Sequence, residues 1–195
     1  MDRFEYVMVL ISIIVGLAIA HMLLGVGGLI DRKAEGPELR LGWTHPVWLG
    51  YTFVWTVQFW WWEYRFSEIV EVWTMNLYLF LTAYAVSLFL LAVILVPRSW
   101  DGVDNLDEYF LNRRVWFYSV FAAGTLFDIA DSFLKGGADY ILGLGAPMVL
   151  LYVLSATVVI GGIRSRNIRL HAVLGTCLFV NQLVSGYVNF DTLGL

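Results

Sequence analysis

Charge is scarce in this chain. Only 14% of its 195 residues are Asp, Glu, Lys or Arg, against about a quarter in a soluble globular domain. With 59% hydrophobic residues and a mean hydropathy of +0.73, too few polar side chains exist to cover a water-exposed surface. A soluble enzyme, a disordered chain and a nucleic-acid binder are excluded on that ground. A single cysteine, Cys177, excludes an internal disulfide, a CxxC redox pair and a thiolate metal cluster. No phosphate loop and no nucleophile–base pair with local context occurs. Gly25, Gly27 and Gly28 lie inside an apolar run and read as packing. No internal repeat relates 4–96 to 113–190, so an inverted-repeat transporter plan has no support in the sequence.

What the chain has instead is long apolar runs. A helix rises about 1.5 Å per residue, so roughly 20 apolar residues cross roughly 30 Å of hydrocarbon. Six such stretches are predicted, near 4–30, 45–66, 73–96, 113–135, 141–163 and 169–190. They are continuous rather than alternating, which speaks against a β-barrel. Ala18-Ile19-Ala20 looks like a small-residue cleavage site, but Met1-Asp2-Arg3-Phe4-Glu5 is not basic and the apolar run continues to Ile30. A retained first helix is expected. The fold class is therefore an all-α integral membrane protein: one polytopic domain over 1–195, six transmembrane helices in one bundle, and short loops. Between the third and fourth spans, Trp100, Val103, Leu106 and Phe110 recur at helical spacing beside Asp101, Asp104 and Asp107. That pattern predicts an amphipathic interfacial segment near 99–110. Its acids lack the spacing of a calcium loop.

Basic residues divide unevenly. Arg32, Lys33, Arg40, Arg98, Arg113, Arg114, Arg164, Arg166 and Arg169 fall in the 1–2, 3–4 and 5–6 connections, and only Arg3, Arg65 and Lys135 fall on the other side. The positive-inside rule then places those three loops in the cytoplasm and both termini outside, in a plasma (cell inner) membrane. Trp43, Trp48, Trp100 and Trp116 come to the inner interface and Trp60, Trp61, Trp62 and Trp73 to the outer one, as aromatic belts require. Nine of the 16 acids lie outside or in the outer leaflet, among them Asp2, Glu63, Glu68, Glu71 and Asp191.

Ionisable groups inside a bilayer are costly and face a bundle interior or a cavity. On the fourth span Gly124, Asp128, Asp131 and Lys135 recur at 4, 3 and 4, hence on one face, with Phe117 and Phe121 continuing it inward. Two carboxylates within one turn repel unless a cation or a proton intervenes. An ion pair from this acid pair to Arg65 or Lys135 is the plain structural alternative. Asp131, nearer Lys135 in sequence, is expected to stay ionised at neutral pH and Asp128 to have the higher pKa of the two. On the sixth span Gln182, Ser185 and Asn189 form a polar seam, which either lines a path or ties helices together. On the second, Tyr51, Trp55, Gln58, Trp62 and Arg65 share a face, with Glu63 beside it. The three histidines, His21, His45 and His171, read as unrelated rather than as a metal or haem site. The fifth span, without ionisable residues, reads as a support.

The expected ion-binding residues are thus Asp128, Asp131, Glu63, Gln182, Ser185 and Asn189, with no catalytic set and no cofactor. The function these point to is a channel, transporter or sensor for a small cation or proton. The alternative is a non-catalytic membrane subunit or scaffold of a larger complex, burying Trp60, Trp61 or Trp62 against a partner. The expected partners are the lipid bilayer and either a second copy or a membrane subunit, not nucleic acid.

Overall fold

The structure, a computed structural model, describes residues 3–36 and 39–190. Asp2, Glu38 and Asp191 of the charge pattern lie outside them. The described chain is helical: α1 (Arg3–Glu35), α2 (Thr44–Glu63), the single turn α3 (Phe66–Ile69), α4 (Met75–Leu95), α5 (Leu106–Gly143), α6 (Gly145–Arg164) and α7 (Ile168–Phe190). Among the described residues the only pairing outside helices is an isolated bridge between Arg40 and Asn105. Five helices, α1, α4, α5, α6 and α7, are long and apolar enough to cross a membrane. The sixth expected span, α2, is present with 20 residues, but it is not among those five. Its His45, Gln58 and five tryptophans lower its apolarity without shortening it.

Local chemistry sets the helix ends. Asn105 caps α5, its side-chain oxygen accepting from the amides of Asp107 at 3.0 Å and Glu108 at 3.5 Å. Those two acids then stand at the positive end of the helix. Thr74 caps α4 by accepting from Leu77 N at 3.2 Å. α5 is broken at Gly136 and Gly137; Gly137 has φ +70°, a conformation that favours glycine. The regular helix therefore ends at Lys135, and a short arm leads through Gly145, φ +76°, into α6.

One expectation is corrected here. The amphipathic segment near 99–110 is not a separate interfacial helix. Residues 99–105 are non-helical, and Leu106 to Phe110 are the first turns of α5. Its apolar stripe turns inward instead of lying on a surface: Leu106 and Phe110 are buried in the core. The Asn105 cap explains the outcome, since it starts the helix after the second of the three spaced acids, Asp104, and leaves too few residues before it for a helix of its own.

α2 lies at the centre, packed against α7, α4, α1 and α5; α1 packs on α4, α5 on both α4 and α6, and α6 on α7. The three basic loops meet at one end. Arg40 N donates to Asp104 O at 2.8 Å and Leu106 N to Arg40 O at 3.0 Å, joining the α1–α2 and α4–α5 connections. Thr44 Oγ1 donates to Ile168 O at 3.3 Å, bringing in the start of α7. At the opposite end Phe4 packs on Tyr64 and Trp73.

The core is aromatic. Trp48 is fully enclosed, with the rings of Phe117, Tyr118 and Phe121 at 5.0, 5.6 and 5.7 Å. Small residues admit the large ones. Gly175 on α7 faces the Trp48 indole, where a Cβ would stand 2.9 Å from Cε2, and Gly162 on α6 lies directly against the Tyr118 ring. Large apolar side chains such as Leu24, Leu126, Ile160 and Val173 cover the outside, while Glu63, Asp131, Lys135, His171 and Gln182 are buried. This is the reverse of the distribution in a water-soluble domain.

Candidate functional site

The last two turns of α5 before its break carry the acid face inward. Lys135 Nζ lies 2.5 Å from Asp131 Oδ2, one turn away on the same helix, and 3.4 Å from Glu63 Oε1 at the end of α2. All three side chains are almost wholly enclosed, at 0, 2 and 1% exposure for Lys135, Asp131 and Glu63. Aromatic faces complete the enclosure: the ammonium sits 5.1 Å from the Trp62 ring centroid and 4.8 Å from that of Phe66, within reach of a cation–π interaction. Glu63 Oε2 and Asp131 Oδ1 are buried and accept no hydrogen bond.

Asp128 stands one turn further in. Its Oδ1 accepts from Tyr84 OH at 2.5 Å, and that hydroxyl in turn accepts from Trp55 Nε1 at 3.0 Å. α2, α4 and α5 are thereby linked through one short relay of side chains. Ser132 Oγ and Tyr152 OH, 3.0 Å apart, tie α6 to the next face of α5. Gly124, the innermost member of the acid face, makes room for Trp55, where a Cβ would stand 3.0 Å from Cη2.

Asp131 and Lys135 of the acid face form one buried cluster with Glu63 from another helix, and Asp128, half-buried, stands one turn away. Of the two candidate cations, Lys135 takes the role. Arg65 pairs instead with Glu68 at 3.0 Å on the partly exposed turn α3. Pairing with Lys135 falls to Asp131, as its spacing implies, and Asp128 takes a hydroxyl partner. Phe117 and Phe121 lie on the inward side, fully buried.

Gln182, Ser185 and Asn189 are buried or half-buried on α7 but are bonded elsewhere. Gln182 Nε2 donates to Gln58 Oε1 at 2.5 Å, Ser185 Oγ to Met148 Sδ at 3.5 Å and Asn189 Nδ2 to Ser185 Oγ at 3.4 Å. These bonds tie α7 to α2 and α6, and none of them reaches a carboxylate. Asn181, beside the seam, donates to Pro147 O at 3.0 Å.

Sequence reasoning missed Tyr84 and Tyr152 because a tyrosine in an apolar helix has the same signature whether its hydroxyl meets a carboxylate or an interface. It also treated His171 as incidental. His171 Nδ1 lies 2.7 Å from Tyr118 OH, and Nε2 lies 3.2 Å from Ser165 O. A carbonyl only accepts, so Nε2 carries the hydrogen and Nδ1 takes the tyrosine's. His45 Nε2 lies 2.7 Å from Leu95 O, tying α2 to the end of α4. Among the described residues no three His, Cys, Asp or Glu side chains come together as a group able to hold a metal ion.

Comparison with protein families, curated proteins and solved structures finds no match to this chain.

Proposed function

We propose that this is a multi-pass membrane protein that takes up and releases a proton at the Glu63–Asp131–Lys135 cluster and its neighbour Asp128, as part of proton transport or sensing. Support for the membrane setting comes from five apolar helices, the apolar exterior, and α2 as a sixth, Trp-rich span. The nine basic residues of the three loops gathered at one end favour that end as cytoplasmic, with both termini outside. The observation that carries the chemistry is a shortage of positive charge. Glu63 and Asp131 share one ammonium in an enclosed site, Asp128 adds a third carboxylate one turn away, and one oxygen each of Glu63 and Asp131 has no hydrogen-bond partner. Uncompensated charge is costly in such a place, so the site calls for a further positive partner. In this reading Glu63 and Asp131 share the bound proton, Asp128 and Tyr84 relay it, and the Phe117–Phe121 face is the inner constriction.

Proteoliposomes test the proposal. Under an imposed pH gradient, wild type is expected to carry proton flux and Asp128→Asn to lose it. Equal flux in both, or none in either, overturns transport. A non-catalytic membrane subunit or scaffold is the second reading. It is favoured by the polar seam of α7, whose members bond one another and the neighbouring helices rather than line a path. A stoichiometric membrane protein recovered with the chain in mild detergent supports that reading, and a clean homo-oligomer supports transport.

A further inference from the structure

The α4–α5 connection forms a groove of about 660 Å³ at the basic end of the bundle, within the roughly 300–1,000 Å³ typical of small-ligand clefts. Its floor is apolar, made by Val93 and Ile94 in the last turns of α4 and by Trp116 on the outer face of α5. Its rim is charged. Arg98 and Arg113 supply two cations, and Asp101, Asp104 and Glu108 supply three anions. Asp104 is already engaged by Arg32 at 3.8 Å. What remains is balanced: two guanidiniums and two carboxylates that have no ion-pair partner among the described residues, Asp101 accepting only from Ser99 Oγ at 2.7 Å. Arg113 is held in position, its guanidinium 3.8 Å from the centre of the Tyr109 ring, and Tyr109 OH donates to Ile94 O at 3.4 Å, fixing that ring to the floor.

We infer that this groove binds the headgroup of a zwitterionic phospholipid bearing a primary ammonium. Such a lipid carries, from its headgroup end inward, a primary ammonium, a phosphate and apolar chains, which answer to the carboxylates, the guanidiniums and the apolar side chains of the groove. Arg98 and Arg113 take the phosphate, by the bidentate geometry guanidinium favours. Asp101 and Glu108 take the ammonium. The acyl chains leave over Val93, Ile94 and Trp116. An anionic phospholipid satisfies the arginines but leaves both carboxylates facing its glycerol, although the surrounding basic end attracts it at long range. The rim, not the overall field, therefore sets the preference.

The inference rests on the membrane reading above, and the test separates the two. Flotation with liposomes comes first: a chain that does not float overturns both. The floated protein is then released in mild detergent with equimolar dioleoyl-phosphatidylethanolamine and dioleoyl-phosphatidylglycerol, and the retained lipid is read by native mass spectrometry. Phosphatidylethanolamine is expected to be retained over phosphatidylglycerol. Arg98→Gln with Arg113→Gln is expected to lower that retention roughly fivefold per arginine. Asp101→Asn with Glu108→Gln is expected to reverse the preference. Arg164→Gln with Arg166→Gln removes the same charge from the same end outside the groove and is expected to leave it unchanged. Equal retention of the two lipids by wild type, a preference for phosphatidylglycerol, or an equal loss in the Arg164/Arg166 variant overturns the site while leaving the membrane reading standing.

Discussion

Two buried polar groups in this bundle are built alike and end differently. At the basic end His171 is enclosed by Phe110 and Tyr118, with ring centroids at 5.5 and 5.6 Å. At the opposite end Lys135 is enclosed by Trp62 and Phe66. Each is a basic side chain inside an aromatic box. His171 is closed: both ring nitrogens have partners, one a hydroxyl and one a carbonyl, and no charge is needed. Lys135 is open: its two carboxylate partners outnumber it, each keeps an unpaired oxygen, and Asp128 adds a third acid one turn away. A polar group that is fully satisfied and neutral serves to join helices. One that is charged and short of partners is a place where a proton makes an energetic difference.

The sharpest way to break this contrast is Lys135→Met. It leaves Glu63 and Asp131 buried without a cation and is expected to cost about 3–5 kcal/mol, read as a large loss of thermal stability in a fixed detergent at neutral pH. A variant as stable as wild type would mean the two acids are neutral without the lysine. Next in size is Gly162→Val, aimed at the closed end. Its added atoms collide with the buried Tyr118 ring, which is held in turn by His171, and overpacking of this kind costs about 1–3 kcal/mol. A neutral result in the same denaturation assay would show that α6 slides freely over α5 there. The smallest effect is expected for Asp128→Asn, at most about 1 kcal/mol, because an amide oxygen still accepts from Tyr84. Asp131→Asn should cost more, since it removes a charge from the Lys135 pair. Reversal of that order in matched melts would reassign the lysine's main partner to Asp128.

Much of this contrast was legible in the residues themselves, for reasons that differ by region. Helix positions followed from apolar runs, and the inward face of α5 followed from the 4-3-4 spacing of Gly124, Asp128, Asp131 and Lys135. Both are local properties of a helix. The partnership of Glu63 with Lys135 was only half legible: a place for Glu63 beside Asp128 and Asp131 followed from their shared outer end, its pairing with the lysine did not. Tyr84 and His171 were not legible at all. Their roles depend on which helix packs on which, and that is decided by fits such as Gly162 against Tyr118 and Gly175 against Trp48, spread over distant parts of the chain. The stripe beginning at Trp100 misled because periodicity reports that a helical face is apolar, not whether it meets lipid or core. The Asn105 cap carried the missing information about where that helix begins.

The break in α5 at Gly136 and Gly137 bears on the lysine cluster through the backbone rather than the side chains. Without it Asp131 and Lys135 would sit in mid-helix, away from the terminal partial charge that the aligned peptide dipoles leave at a helix end. With it they occupy the last turn of a 30-residue run from Leu106 to Lys135, before the backbone leaves helical geometry. A helix terminus of this kind carries about half a negative elementary charge. The two glycines thus place an additional negative pole beside three carboxylates and a single ammonium. Any motion that straightened the kink would withdraw that pole, and with it part of the cluster's attraction for a positive partner.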